Sequence, residues 1–326
     1  MSKINVAALF AKLELCKNAI IVGHSHPDGD CVGSAVALAA LIEALGNKAQ
    51  IIFPEKAPFR LGFILEERSE LDALPENPEE YDYIGIDLAS PIQMASLRDT
   101  LEHRFALRID HHEVCVPYAN DEFVDANASA AGMLVFDLWE YAVENGKVKG
   151  YTKEALTAIF AAISSDTGCF KYANVTEETH AAAAKLIALG APAAFANRML
   201  FDTKEMAQLK AEGIAISHLE SFDGGAISAI ALDLCDYGEN LGIKDFETGI
   251  DIARSVRGTR CAVIVKASPT PETFRVSLRS NDDTDVSAVA AIFGGGGHIR
   301  AAGCTILGSS AREVLLKVVS ELRKVM

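Results

Sequence analysis

Short apolar runs alternate with helical patterns over the first 170 residues, and this alternation predicts parallel strands covered by helices. Buried strands are expected at residues 19–23, 49–53, 83–86 and 105–109. Helical patterns cover residues 31–45, 130–144 and 152–164. Gly46 follows the first of these helices, at the position where a helix commonly ends. The N-terminal part of the chain is therefore predicted to be an α/β domain with a parallel sheet and flanking helices.

A second, smaller α/β unit is predicted in the C-terminal part. Residues 177–219 show helical patterns with few strand signals, whereas strands are expected at 226–232, 261–267 and 273–278 and a last helix at 311–325. We expect a catalytic domain over residues 1–195, a helical linker over 196–219 and a second domain over 220–326.

Composition and net charge argue against some classes of binding partner. Half of the 326 residues are hydrophobic, which is enough for sizeable cores. The 30 Lys and Arg residues against 45 Asp and Glu give a net charge of −15, which works against binding of duplex DNA or of an anionic membrane surface. No apolar run approaches the length of a membrane span, and we expect a cytoplasmic protein.

The cysteines indicate neither a disulfide framework nor a zinc site. There are seven, an odd number, widely spaced and without a C-x-x-C pair. Each is expected to be a small buried hydrophobic residue.

Residues of metal-ligand type follow the predicted strands at their carboxyl ends, where the crevice of a parallel sheet lies. They come from four segments: His24, Asp28 and Asp30; Asp87; Asp110, His111 and His112; and Asp166 at the end of a helix. So many carboxylates in one place require cations. Any one of these residues could have a structural role instead of binding a metal ion. Asp30 in particular could be the N-cap of the following helix.

A set of Asp and His residues without Cys suits Mn²⁺ or Mg²⁺ better than a closed zinc site. The ligands suffice for two ions that share a bridging Asp. Two such ions activate a water molecule and neutralise phosphoryl charge, as in many phosphoesterases.

These motifs resemble those of the DHH phosphoesterase superfamily. The residues that carry the resemblance are His24, Pro27, Asp28, Gly29 and Asp30, then Asp87, then Asp110, His111 and His112, then Ser165 and Asp166. Gly294 to His298, with Ala301, Ala302 and Gly303, resemble the signature of the associated C-terminal domain. The most similar subgroup degrades short oligoribonucleotides and dephosphorylates 3′-phosphoadenosine 5′-phosphate (pAp), often with Mn²⁺.

The resemblance implies a role for each site residue. His24, Asp28 and Asp87 would hold one ion. The other ion would be held by Asp30, Asp87, His111 and Asp166. His112 would contact the scissile phosphate and Asp110 would orient a ligating imidazole, so that Asp87, Asp110 and His112 form the catalytic group. Two departures from the family pattern bear on substrate choice: Ile299 stands where Pro is expected, and Ser129 carries the one hydroxyl where Thr is expected.

The second unit carries the features of an anion site. Residues 251–300 hold seven Lys and Arg against five acids, which reverses the sign of the chain locally. The expected substrate-binding residues are Arg257, Arg279, Gly295, Gly296, Gly297 and His298. Glycines let backbone N–H groups approach a phosphate closely, and an arginine binds its oxygens with two hydrogen bonds. The alternatives are that the glycines form a flexible loop and that the arginines form a solvated basic surface without a ligand.

The predicted function is therefore hydrolysis of short oligoribonucleotides to mononucleotides, and of pAp to AMP, by two divalent ions. The substrates would be short oligoribonucleotides or small nucleotides, and a homodimer is compatible with this prediction. The alternatives are a phosphodiesterase of cyclic or linear dinucleotides, an inorganic pyrophosphatase or exopolyphosphatase, and a catalytically silent nucleotide sensor.

Overall fold

The computed structural model describes residues 5–326 as two compact units, which meet in the chain between Thr203 and Lys204. Each unit has its own sheet and its own apolar cores. None of the helices in the described part of the chain combines the length and apolar character that crossing a membrane requires.

The first unit contains five strands and seven α-helices in its described residues. In chain order they are α1 (Val6–Leu13), β1 (Asn18–Val22), α2 (Gly29–Ala44), β2 (Lys48–Ile52), β3 (Asp82–Ile86), α3 (Arg98–Leu101), β4 (Phe105–Asp110), β5 (Asp121–Val124), α4 (Ala131–Glu144), α5 (Lys153–Asp166), α6 (Glu177–Ala188) and α7 (Ala193–Asn197). All strand pairs are parallel, in the order β2-β1-β3-β4-β5. The parallel α/β architecture predicted for this part is confirmed.

The strand order creates a switch point between β1 and β3. The chain passes from β1 to β2 on one side and then returns to place β3 on the other side of β1. Connections that leave in opposite directions open a crevice at the carboxyl ends of the two strands. This crevice is where Gly23 to Asp30 and Asp87 follow their strands.

Alternation along β1 explains how helices cover both faces of the sheet. Ala19 and Ile21 face the core under α2, α4 and α5, whereas Ile20 and Val22 face the core under the segment around Met94. Successive side chains on a strand point to opposite faces. The strand is therefore apolar throughout, as expected of a parallel strand buried on both faces.

Helices α2 and α5 pack with their backbones unusually close. A Cβ atom on Gly33 would lie 2.4 Å from the carbonyl oxygen of Ala158 and 3.0 Å from the Cβ of Ala162. A Cβ on Gly29 would lie 2.5 Å from the Oγ of Ser165. These small residues bring the end of α5, with Asp166, against the start of α2.

The second unit is a six-stranded mixed sheet with helices on both faces. Its elements are α8 (Met206–Ser217), β6 (Leu219–Phe222), β7 (Ile227–Leu232), α9 (Gly249–Arg254), β8 (Cys261–Ala267), β9 (Thr273–Ser280), α10 (Val286–Ile292), β10 (Gly296–His298), β11 (Ala301–Leu307) and α11 (Ala311–Val325). The strand order is β10-β11-β9-β8-β7-β6, and β7 and β8 form the only parallel pair among the described strands of this sheet. This confirms the predicted α/β character of the second unit.

Helix α8 lies within the stretch predicted as a linker, and it packs on the sheet of the second unit. Its Ala211 and Ala215 are buried in one core with Ile230 and Ile264. The contacts thus divide the chain before α8, whereas the domain limits at 195 and 219 stay predictions.

Candidate active site

Asp87 lies at the centre of a cluster of carboxylates and imidazoles at the switch point. Its carboxylate is buried, with the residue only 2% exposed. Its Oδ2 lies 3.5 Å from Nε2 of His24, and its Oδ1 lies 3.4 Å from Nε2 of His111. The two oxygens of one side chain therefore face two different imidazoles.

The backbone turns sharply at Asp87 to direct this side chain into the crevice. Asp87 has a φ of +51°, in the left-handed region that few residues other than Gly, Asn and Asp adopt. Its N–H still donates to the carbonyl of Ile109 at 3.0 Å, which fixes it to the end of β4. A strained backbone of this kind often marks a functional residue.

His24 and His111 are oriented in the same way. Nδ1 of His24 lies 2.7 Å from the carbonyl oxygen of Ser25, and Nδ1 of His111 lies 3.2 Å from that of Ala128. In the neutral ring, a backbone carbonyl at Nδ1 places the proton there and leaves the lone pair on Nε2, as in most histidines that bind metals. Both Nε2 atoms face Asp87.

Two further carboxylates complete the group around His111. Its Nε2 lies 3.5 Å from Oδ2 of Asp30 and 3.5 Å from Oδ2 of Asp166. Asp166 is the last residue of α5. The predicted residues Asp30, Asp87, His111 and Asp166 are thus brought together.

The N-cap of α2 is not Asp30, the residue that the sequence offered as an alternative for this role, but Asp28. The N-cap of α2 is Asp28, whose Oδ1 accepts from the N–H groups of Asp30 and Cys31 at 3.0 Å. Asp30 lies inside the helix, so it is not the N-cap of α2. Asp28 remains 3.9 Å from His24 through its Oδ1, and its side chain is 46% exposed.

Asp30 instead binds the start of α4. Its Oδ2 accepts from Ala131 N at 2.6 Å, and its Oδ1 accepts from Gly132 N at 2.9 Å and from the hydroxyl of Ser34 at 2.8 Å. Free N–H groups at a helix N-terminus favour a carboxylate. Asp30 therefore joins α2 to α4 while its Oδ2 also faces His111.

His112 is held by a buried ion pair behind the cluster. Its Nδ1 lies 2.7 Å from Oδ1 of Asp110, which also accepts from the backbone N–H of His111 at 2.8 Å. The other oxygen of Asp110 accepts from the guanidinium of Arg108, which is fully buried and also donates to Glu122 at 3.2 Å. Asp110 thus orients the imidazole of His112, whose side chain is 35% exposed, and not that of His111, whose ring faces Ala128.

The pKa values reflect a surplus of negative charge around the imidazoles. Burial lowers the pKa of His111, but Asp87 and Asp30 raise it by more, to about 10. Burial also lowers the pKa of His24, yet Cys31 and Asp87 raise it, to about 12. Burial, with the repulsion of Asp87, raises the pKa of Asp166 to about 6. The cluster therefore holds protons that a divalent cation would displace.

The donor set fits divalent cations. Four carboxylates and two imidazoles converge, and the buried Oδ1 of Asp87 has no hydrogen-bond partner among the described residues. A buried carboxylate oxygen without a donor is costly unless an ion compensates it. Three groups of side chains have ligand atoms within 4.8 Å of one another, namely His24, Cys31 and Asp87; Asp87, His111 and His112; and Asp30, His111 and Asp166.

The sequence prediction missed Cys31. This residue was expected to be a core hydrophobe, and it is fully buried, but its sulfur lies among the ligand atoms rather than in an apolar environment alone. The signal in the sequence is its position, directly after Asp30 in the first turn of α2.

In the second unit, the glycine-rich segment forms an edge strand rather than a floppy loop. A Cβ on Gly295 would lie 2.2 Å from the carbonyl oxygen of Gly303, and one on Gly297 would lie 2.4 Å from that of Ala301. Close approach of β10 to β11 thus requires glycine at both positions.

The strand register places two of the predicted substrate-binding residues, Arg279 and His298, on the same face of the sheet. His298 pairs with Ala301, and Ala301 pairs with Arg279 on the next strand. Residues directly opposite each other across antiparallel strands point to the same face. His298 and Arg279 therefore share one face of the sheet, about 10 Å apart at two strand spacings. Gly296 and Arg257 are exposed, whereas Arg279 is half-buried and donates to the carbonyl of Leu278.

The two positions that depart from the family pattern have simple environments. Ser129 is buried, and its hydroxyl accepts from the hydroxyl of Thr179 at 3.1 Å. Ile299 is exposed in the turn between β10 and β11.

Comparison with known proteins identifies both domains. Residues 18–163 match the model of the DHH family, N-terminal domain, and residues 249–324 match that of the DHHA1 domain. The bifunctional oligoribonuclease and PAP phosphatase NrnA of Thermus thermophilus is 28% identical over 306 residues, which cover 93% of this chain and 89% of that protein. The protein of the same name from Bacillus subtilis is 27% identical over 303 residues, which cover 91% of this chain and 92% of that protein.

A solved structure has the same fold. The crystal structure of an exopolyphosphatase-related protein from Bacteroides fragilis superimposes with a TM-score of 0.87 at 22% identity, covering 98% of this chain and 95% of that one. The order of the motifs, the two domain matches and the fold agree with one another. The chain belongs to the DHH family of phosphoesterases and carries both the DHH and the DHHA1 domain.

Proposed function

We propose that this protein hydrolyses short oligoribonucleotides to mononucleotides, and pAp to AMP, with two divalent metal ions. The observation that carries the proposal is the position of Asp87, whose two oxygens face His24 at 3.5 Å and His111 at 3.4 Å. A carboxylate placed in this way suits a bridge between two ions. The substrates are those named for the relatives that span nearly the whole chain.

His24, Asp28 and Asp87 would hold one ion, and Asp30, Asp87, His111 and Asp166 the other. Carboxylates and imidazoles suit Mn²⁺, with Mg²⁺ as an alternative. When bound, two such ions supply a metal-activated water and neutralise charge on the phosphoryl group.

His112 would contact the scissile phosphate, and Asp110 would orient its imidazole. The hydrogen bond that His112 donates to Asp110, though opposed in part by burial, raises the pKa of His112 and favours the imidazolium form. With Nδ1 engaged by Asp110, Nε2 is the ring atom left to donate to a phosphate oxygen. Asp110 keeps that ring in place because Arg108 and two backbone N–H groups hold its own carboxylate.

The second unit would bind a part of the nucleotide other than the scissile phosphate. Arg279 and His298 share one face of the sheet, and the edge strand formed by Gly296 and Gly297 exposes backbone next to them. Arg257 would add charge. Short substrates fit the net charge of −15, which disfavours duplex DNA. A cytoplasmic location and a homodimer belong to the same proposal.

A substrate panel under Mn²⁺ tests this function. It includes a diribonucleotide to pentaribonucleotide series, pAp, a cyclic dinucleotide and pyrophosphate, each with the wild type and with Asp87→Ala. We expect the highest kcat/KM on the short oligoribonucleotides and pAp, and a loss of far more than tenfold in Asp87→Ala. Fastest turnover of pyrophosphate or of the cyclic dinucleotide, or nucleotide binding without turnover, would each overturn the proposal.

A further inference from the structure

Cys31 is the one cysteine of the described residues whose sulfur belongs to a group of potential metal ligands. It lies in the first turn of α2 and is fully buried. Its Sγ, a ring nitrogen of His24 and a carboxylate oxygen of Asp87 all lie within 4.8 Å of one another. The buried Cys16 offers a contrast, since its Sγ lies 3.7 Å from the carbonyl oxygen of Lys12.

The backbone at the end of β1 makes room for this sulfur. A Cβ on Gly23 would lie 2.3 Å from Sγ of Cys31 and 2.7 Å from the ring of Phe53. Any side chain at position 23 would displace the thiol. The absence of a side chain at Gly23 thus leaves the space that Sγ occupies, next to His24.

The neighbours of the thiol point independently to an ion. Nδ1 of His24 is engaged by the carbonyl oxygen of Ser25, so in the neutral ring the lone pair lies on Nε2, on the side of Asp87. The carboxylate of Asp87 is almost fully buried: its Oδ2 lies 3.5 Å from Nε2 of His24, and its Oδ1, on the side of His111, has no hydrogen-bond donor among the residues described. A thiol that served only as a small hydrophobe would not need to lie against these two groups.

We propose that Cys31 is an additional ligand of the ion held by His24, Asp28 and Asp87, and that its sulfur gives this position a preference for thiophilic divalent cations such as Co²⁺, Zn²⁺ or Cd²⁺. This inference rests on the proposed two-ion site. Thiolate ligands favour these cations, whereas carboxylate and water ligands suit Mg²⁺ and Mn²⁺. On binding, the S–H bond breaks, its proton passes to solvent and the sulfur lone pair forms the bond to the metal, without change of oxidation state.

The test is the absorption spectrum of the protein loaded with Co²⁺. Coordination of sulfur gives a thiolate-to-cobalt charge-transfer band in the near ultraviolet, which carboxylate and imidazole ligands do not give. We expect the band in the wild type and in the control Cys16→Ala, and its loss in Cys31→Ser and Cys31→Ala. Alkylating the accessible thiols of Cys115, Cys169 and Cys235 before loading should leave the band in place, because Cys31 is buried.

A competition titration measures the relative affinities of the site for Cd²⁺ and Mn²⁺. In Cys31→Ser, the affinity for Cd²⁺ should fall by about tenfold or more, as for the loss of a metal-site partner, while the affinity for Mn²⁺ changes much less. Thermal unfolding of the metal-free proteins checks that the variants fold. If they do not, the spectrum of the alkylated wild type still decides.

The outcomes separate this inference from the proposed function. Co²⁺ binding without the band, or a band that persists in Cys31→Ser, would overturn the role of Cys31 and leave the two-ion site standing. Failure of the wild type to bind Co²⁺ or Mn²⁺ at all would overturn both.

Discussion

Nδ1 of His112 lies 2.7 Å from Oδ1 of Asp110, and the other oxygen of Asp110 is bound by the buried guanidinium of Arg108. One carboxylate thus connects a solvent-accessible imidazole to an ion pair in the core. Burial would raise the pKa of Asp110, but His112 and Arg108 lower it below its usual value, so the carboxylate stays charged at neutral pH.

Replacement of Asp110 by Asn should therefore affect both activity and stability. We expect kcat to fall by about tenfold or more, because His112 loses the group that orients it. We also expect the free energy of unfolding to fall by about 3 kcal/mol, because Arg108 loses a buried charged partner. Steady-state kinetics and urea unfolding measure the two effects. Asp99→Asn, on the exposed face of α3, is the control, and equal behaviour of the two variants would contradict this role for Asp110.

Binding of Mn²⁺ should release protons and strengthen as pH rises. The pKa of His111 is raised to about 10 and that of His24 to about 12, so both imidazoles are protonated in the metal-free protein at neutral pH. An ion binds only the neutral ring, and acid therefore competes with the ion. Calorimetric titrations in two buffers of different ionisation enthalpy count the protons released. If the affinity for Mn²⁺ changes by less than about twofold between pH 6 and pH 8, these imidazoles are not the ligands.

The two roles of Asp30 can be separated by two substitutions. Both Asp30→Asn and Asp30→Ala should weaken metal binding. Asp30→Ala leaves the N–H groups of both Ala131 and Gly132 without an acceptor, whereas the amide oxygen of Asp30→Asn can still accept from one of them. Asp30→Ala should therefore be less stable than Asp30→Asn by about 1–3 kcal/mol. Urea unfolding of the metal-free variants gives the difference. Equal stability would mean that the carboxylate does not hold the start of α4.

Arg279 and His298 should matter for nucleotides and not for the chemical step. We expect Arg279→Ala and His298→Ala to lower kcat/KM on a trinucleotide by an amount equivalent to about 1.5–3 kcal/mol each, as for a hydrogen bond to a charged group. On bis-p-nitrophenyl phosphate the loss should be much smaller. Arg300→Ala removes an exposed arginine that is paired with Asp283 at 2.7 Å and serves as the control. Equal losses on the small and the long substrate would argue for a role in chemistry or folding.

Much of the site could be predicted because it follows strand ends. The apolar runs that form β1, β3 and β4 are followed within two residues by His24, Asp87 and His111, so local patterns suffice to place these residues at one edge of the sheet. Strand order depends on pairing between distant segments and is not written in such local patterns. The switch point between β1 and β3 therefore could not be predicted from them.

The remaining features depend on contacts between distant segments. Asp30 binds α4, about a hundred residues further along the chain, and no local signal distinguishes this role from that of an N-cap. The thiol of Cys31 lies in the cluster because Gly23 leaves space for it. The need for glycine at Gly295 and Gly297 arises from the pairing of β10 with β11.

We propose Asp87 as the bridge between two ions, and electron paramagnetic resonance of Mn²⁺ tests this role directly. Two Mn²⁺ ions that share a carboxylate are exchange-coupled and differ in spectrum from isolated ions. We expect the coupled spectrum when two equivalents of Mn²⁺ are added to the metal-free wild type, and only isolated ions in Asp87→Ala. Isolated ions in the wild type at two equivalents, or a coupled pair that survives in Asp87→Ala, would contradict the assignment of Asp87 as the bridge.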